Sequence, residues 1–308
     1  MSRPHPHPVV AVDLGKSRCR LLVGEGRGDT REGVGAPGLA AEGGVEAALA
    51  AIRPLLGGLE GRVSAVSVGA AGAWAEPAAA FELARRLADS AGAPTAVASD
   101  VVTAHAGALA GDEGVLLIAG TGAAALGLDA EGAHLVDGWG PELGDFGSGS
   151  WLGREALRSV LRAAVGLAPA TALTEAVGSR VGDPARIPAW LAVDEPLARR
   201  LGTLAPLVLD VAAAGDDVAA DIVAEGVRLL AASASAAAPA SAASAGRAPA
   251  VALHGGLTDH VWFRARLAAA LDEAGCRVVS SRGDALDGAL LLARRTDLPH
   301  ERFLHRAD

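Results

Sequence analysis

The feature that most limits how this chain folds is a strand, turn and strand plan that occurs twice. Near the amino terminus Val9-Val10-Ala11-Val12 reads as strand, Asp13-Leu14-Gly15-Lys16-Ser17 as polar turn and Arg20-Leu21-Leu22-Val23 as strand. Residues 115–128 repeat it, with an apolar strand, the turn Gly120-Thr121-Gly122, and a second apolar strand opening at Ala123. Two such hairpins predict a duplicated fold. A glycine turn lets backbone N–H groups approach an anion without obstruction from Cβ, and a hydroxyl or lysine beside it adds a donor. Both turns therefore suit phosphate, and together they predict a nucleotide gripped between two lobes.

The 308 residues allow one large domain or two ordinary ones, and the repeat favours two. Aromatic residues make up 3% of the chain and tyrosine is absent, so the cores must be built from Ala, Val and Leu. A net charge of −9 without an arginine cluster argues against a nonspecific grip on nucleic acid or on an anionic membrane surface. A small-molecule partner is expected instead. There is no apolar run of about 18 residues, and no apolar core of a signal peptide beside Pro4, Pro6 and Pro8, so the expected location is cytoplasmic. Cys19 and Cys276 lack CxxC or disulfide-scaffold spacing and read as free thiols, and the His5 and His7 tract reads as a frayed terminus.

Between the hairpins, the spacing predicts a short helix over 45–56 interrupted by Pro54, a strand over 63–68, a helix over 76–91 and a strand over 95–98. Strands and helices in this order form an α/β layer. Asp100 follows the last of these strands, at the edge where open α/β sheets bind ligands. Asp112-Glu113-Gly114 marks the hinge, which gives an amino-terminal lobe over 1–113 and a carboxyl-terminal lobe over 114–308, with the last helix able to pack back toward the first lobe. The second lobe continues with a strand over 134–137, a loop over 138–149 carrying five glycines, and a helix over 151–165; such a loop opening a helix suits binding. An Ala/Ser/Pro tract over 233–250 reads as the end of a helix followed by a loop, before a strand over 251–253 enters His254-Gly255-Gly256-Leu257.

In this order the segments resemble the actin-like sugar kinases, most closely the branch with the N-acetylglucosamine kinases and the BadF/BadG/BcrA/BcrD-type ATPases. The resemblance runs from Val10 to about Ala293. It is strongest over 100–153, where an acidic strand end, the Gly-Thr-Gly turn and the run Gly-Trp-Gly-Pro-Glu-Leu-Gly-Asp-Phe-Gly-Ser-Gly-Ser-Trp-Leu-Gly stand at the family's spacing. It implies an α/β fold of two ribonuclease H-like lobes with a central cleft that closes on ATP and a sugar. Asp13 would hold Mg2+. Gly15, Lys16, Ser17, Gly120, Thr121, Gly122 and Ala123 would bind the phosphates, and Gly255, Gly256 and Leu257 would lie against the adenosine. Asp100 would be the catalytic base that takes the proton from the sugar hydroxyl. Thr121, Gly138, Trp139, Gly140 and Asp145 would join Asp100 in holding the sugar. The implied activity is an ATP-dependent carbohydrate kinase acting on N-acetylglucosamine or a related amino sugar or hexose, and the resemblance leaves a homodimer open.

The sequence departs from the family pattern at Ser99, where asparagine is usual, and at Phe146, where glutamate is usual. These departures motivate an alternative, a nonenzymatic sugar or nucleotide sensor of the same fold. A third reading is an ATPase activator of a 2-hydroxyacyl-CoA dehydratase, which would need thiolates for an iron–sulfur cluster. Taken alone, Asp100 and Asp145 also read as helix caps, Trp139 and Trp151 as core or rim aromatics, and His105 as a packing residue.

Overall fold

The first hairpin forms as two strands, β1 (Val9–Leu14) and β2 (Arg18–Val23), in antiparallel register with Asp13 opposite Arg20. The structure is a computed structural model that describes residues 7–24, 29–59, 62–193, 195–244 and 246–308, so His5 lies outside the described residues. The chain divides into two units, one of residues 1–113, 129–132 and 281–308 and the other of 114–128 and 133–280.

In the first unit the hairpin is extended by β3 (Thr30–Val34), which pairs antiparallel with β2. Then come α1 (Gly44–Leu56), β4 (Ala65–Ala70), α2 (Pro77–Ala91), β5 (Thr95–Ala98) and α3 (Asp100–Ala108). β1, β4 and β5 run parallel. Val10, Ala11 and Val12 are fully buried because both faces of β1 are covered. Val10 and Val12 join Leu49 and Ile52 of α1 and Leu83 and Leu87 of α2 in one core cluster. Pro54 does not interrupt α1. It falls in the last turn, where its missing N–H costs one bond back into the helix with little helix left to disrupt, and Arg31 Nη1 donates to the carbonyls of Leu55 and Gly57 at that end.

The second unit repeats the plan. β6 (Gly114–Ala119), β7 (Ala123–Leu128) and β8 (Ala133–Asp137) form an antiparallel meander. After it come α4 (Gly149–Ala164), α5 (Ala172–Val181), α6 (Ile187–Leu191), α7 (Leu197–Gly202), α8 (Ala205–Ala213), α9 (Asp217–Ala237) and α10 (Ala240–Ser244). β9 (Ala250–His254), α11 (Val261–Glu273) and β10 (Arg277–Val279) complete the unit, with β9 parallel to both β6 and β10. Val115, Leu117 and Ala119 of β6 pack in one cluster with Leu152 of α4, Val208 of α8, Val223 and Leu230 of α9 and Phe263 of α11. The tract expected as a loop after Pro239 instead starts the short α10, since proline is tolerated at a helix start.

The chain then returns to the first unit through α12 (Ala285–Arg294) and β11 (His305–Ala307), and β11 pairs antiparallel with β5. Leu286, Ala289 and Leu290 of α12 cover the second face of the sheet, against Ala11 and Leu22. The strand orders are β11-β5-β4-β1-β2-β3 and β10-β9-β6-β7-β8. Each sheet is thus a three-strand meander whose first strand is flanked by two parallel strands, and the two hairpins noted in the sequence occupy equivalent places. Together they give the mixed α/β, two-lobed fold of the actin-like ATPases.

Candidate active site

Asp13 ends β1 but for one residue, and Asp100 opens α3 two residues beyond β5. The register Asp13↔Gly69 and Gly69↔Ala98 brings both to the carboxyl edge of the first sheet. A Cβ on Gly69 would lie 2.2 Å from Thr103 Oγ1, so only glycine lets α3 approach β4 this closely. Asp100 is partly buried, and its Oδ1 accepts bonds from Ser99 Oγ at 3.0 Å and from the Val101 N–H at 2.9 Å. Burial pushes its carboxyl above the usual carboxylate range; the two hydrogen bonds oppose this, the Asp13 charge adds to it and the Lys16 charge works against it. The N-cap of α3 is Ser99, with Asp100 already inside the helix.

Asp13 Oδ2 accepts bonds from Arg20 Nε at 3.1 Å and Nη2 at 2.7 Å, and Arg20 Nη1 reaches Asp284 Oδ2 at 3.0 Å. Asp284 is the N-cap of α12. In the adjoining turn the Gly15 N–H donates to the Arg18 carbonyl, while Lys16 and Ser17 are exposed and their N–H groups have no partner among the described residues. No group of three or more His, Cys, Asp or Glu suited to a metal occurs among the described residues. Magnesium held by one carboxylate, water and phosphate needs none, and Asp13 Oδ1, which Arg20 leaves untouched, fits that mode.

In the second unit the Gly120-Thr121-Gly122 turn and Gly255 both follow the carboxyl ends of paired parallel strands, with Ile118 beside His254. Gly255 has φ +107°, and a Cβ there would lie 2.6 Å from the Ala119 carbonyl oxygen, so the two glycine turns touch. Thr121 and Gly122 have N–H groups with no partner among the described residues, as an anion cradle requires. The Ala123 N–H is taken by Asp145 Oδ1 at 3.3 Å, and Leu257 is buried in the core with Gly256 beside it in the turn. The start of α4 is not open to an anion. Gly149 and Ser150 donate their N–H groups to the carbonyls of Gly120 and Thr121, and Ser148 caps Trp151. These bonds fix the turn rather than bind a ligand.

The loop between β8 and α4 carries Gly138, Trp139, Gly140 and Asp145. Gly138 and Gly140 have φ +84° and +87°, and Trp139 is 66% exposed with its ring edge-on to Phe146. Asp145 is buried, its carboxylate lying against Gly122, where a Cβ would meet it at 3.0 Å. The cap of α4 is Ser148, so Asp145 is released from the capping reading. Trp151 and His105 are both buried packing residues. The sequence reading did not single out Arg20, Asp284 or Asp137. Arg20 was legible from the hairpin, because counting across the turn places it opposite Asp13. Asp284 was not, since its partner is 264 positions away.

The model of the BadF/BadG/BcrA/BcrD ATPase family matches residues 23–293. The chain belongs to this family. Among solved structures of similar fold, one from Chromobacterium violaceum, described as a candidate N-acetylglucosamine kinase, is 28% identical at a TM-score of 0.71, covering 94% of this chain and 99% of that one. A second from Porphyromonas gingivalis, described in the same way, is 20% identical at a TM-score of 0.70, covers 92% and 97%, and speaks for the fold. The N-acetyl-D-glucosamine kinase of Dictyostelium discoideum is 48% identical over 63 residues, and that match spans 20% of either chain. Among the described residues no helix is long and apolar enough to cross a membrane.

Proposed function

We propose that this family member is an ATP-dependent carbohydrate kinase that transfers the γ-phosphoryl group to a hydroxyl of N-acetylglucosamine or a related amino sugar. The observation that carries this reading is Asp100, a carboxylate at the sheet edge whose proton affinity is raised by burial while Ser99 and Val101 fix its orientation. It suits a general base that takes the proton of an attacking hydroxyl. Phosphoryl transfer otherwise depends on positioning and charge stabilisation. The N–H groups of Thr121 and Gly122 supply donors for phosphate in the second unit, as do those of Lys16 and Ser17 in the first. Asp13 would hold magnesium, directly or through water, and that ion would neutralise phosphate charge. Gly255, Gly256 and Leu257 are read as the adenosine contact. Gly138, Trp139, Gly140 and Asp145 are read as the sugar contact.

The match to the Chromobacterium violaceum protein over nearly the whole chain supports the sugar as acceptor. Of the two departures that motivate the sensor reading, Ser99 serves Asp100 directly and Phe146 packs edge-on against Trp139, so that reading is not favoured. The dehydratase-activator reading is opposed by the thiols. Both are buried, and that of Cys19 is pushed up to about 12 by burial and by the Asp13 charge, whereas a cluster needs accessible thiolates. The reading is tested by incubating the protein with Mg-ATP and each of several amino sugars and following sugar phosphate by phosphorus NMR. A sugar phosphate formed only with an amino sugar present supports it, and ATP hydrolysis without any phosphosugar contradicts it.

A further inference from the structure

Two residues other than glycine flank the loop between β8 and α4 in left-handed backbone, Asp137 with φ +66° and Asp145 with φ +54°. That conformation is uncommon outside glycine, and aspartate enters it more readily than most L-residues because its short side chain can bond locally. Here the bonds join the two. The Asp137 carboxylate is buried, and its oxygens each accept a consecutive backbone N–H, Oδ1 that of Asp145 at 2.8 Å and Oδ2 that of Phe146 at 2.7 Å. Charge-assisted and bidentate, this grip fixes direction as well as distance. Gly144 makes room for it, since a Cβ there would stand 2.5 Å from Asp137 Oδ1. The Asp145 side chain so presented lies against Gly122 and accepts the Ala123 N–H, at the turn read as the phosphate cradle. The two bonds on adjacent peptides fix the backbone at Asp145, and with it the direction in which the Asp145 carboxylate leaves the chain.

We infer that Asp137 is a positioning residue for sugar binding, acting through Asp145. The inference rests on the reading of Asp145 as a sugar contact. The test measures KM for N-acetylglucosamine, KM for ATP and kcat in Asp137→Ala, Asp137→Asn, Asp145→Asn and the double variant Asp137→Ala/Asp145→Asn. A misplacement of about 1 Å can cost about 10²-fold, so a smaller one is expected to cost about tenfold. The sugar KM is therefore expected to rise about tenfold in Asp137→Ala, with ATP KM changing less than about twofold. Asp137→Asn, which keeps one acceptor, is expected between Asp137→Ala and the parent, and serves in its place should the alanine variant not fold. The double variant is expected to be no worse than Asp145→Asn, because the two act as one unit. An additive double variant, or equal rises in both KM values, overturns the inference while leaving Asp145 in its role. An Asp145→Asn protein with unchanged sugar KM overturns the reading of Asp145 and the inference with it.

Discussion

Arg20 stands directly across the first hairpin from Asp13 and shares its guanidinium between that carboxylate, at 2.7 Å, and Asp284, at 3.0 Å. One cation thus ties the polar end of β1 to the N-cap of α12, residues separated by almost the whole chain. All three side chains are about four-fifths buried, so the pair is shielded from the screening that makes surface ion pairs negligible. Arg20→Ala leaves two carboxylates facing each other without their cation, and a loss of about 1–3 kcal/mol is expected. Urea denaturation at neutral pH checks this. An unchanged midpoint would mean the bridge contributes nothing.

Asp100 should separate activity from stability. Replacing a general base removes about 10² to 10⁴ of the rate, so Asp100→Asn should lose nearly all turnover. Its carboxyl titrates above the usual range, so the stability it contributes is full at acid pH and lost as pH rises through the folded value. At neutral pH the ionised form is a cost, and the amide keeps an acceptor for Ser99 and Val101. The variant should therefore melt at the same temperature as the parent or higher. For the same reason the acid limb of kcat/KM should lie above the ordinary carboxylate range.

The carboxyl-terminal segment is held by a histidine pair. His105 Nδ1 and His300 Nε2 meet at 2.9 Å with both rings fully buried, and burial followed by the nearby His105 brings His300 down to about 3. A depressed value means stability present above the unfolded pKa and lost as pH falls toward 3. The urea midpoint should fall between pH 7 and pH 4, and His300→Phe should flatten that slope. A variant with the parent's pH dependence would place the acid-sensitive group elsewhere.

Helix α3, which carries Asp100, meets α12 through two glycines. A Cβ on Gly107 would come 1.9 Å from the Asp284 carbonyl oxygen, and one on Gly288 would come 1.8 Å from that of Thr103. Either alanine variant should lose about 1–3 kcal/mol by overpacking. Because the strain falls on α3, kcat should drop along with the melting temperature. Loss of stability with full kcat would show that α12 yields instead.

The hairpins, the glycine turns and Asp100 were legible because each is a local pattern: apolar runs punctuated by glycine and an acid at a strand end. β3 was missed because Thr30, Glu32 and Val34 are exposed on an edge strand, with no apolar face to betray it. Of the six helices between 172 and 244, α9 was legible as a helical pattern around 218–234, and the others were hidden in an alanine-rich stretch whose helical stripe has little contrast. β11 has three residues and forms only because β5 offers an edge. The bond from Asp137 to Asp145 was invisible since no spacing rule links an acid to a left-handed loop residue.

Asp100 is proposed to serve phosphoryl transfer to a sugar. That role is tested most directly by ADP formation from Mg-ATP with N-acetylglucosamine, glucosamine, N-acetylmuramic acid and glucose, in parent and Asp100→Asn proteins. The account predicts sugar-dependent ADP formation that is strongest with an amino sugar and falls at least about a hundredfold in a folded Asp100→Asn variant. ADP formation indifferent to every sugar, or an Asp100→Asn protein with the parent's rate, would contradict it.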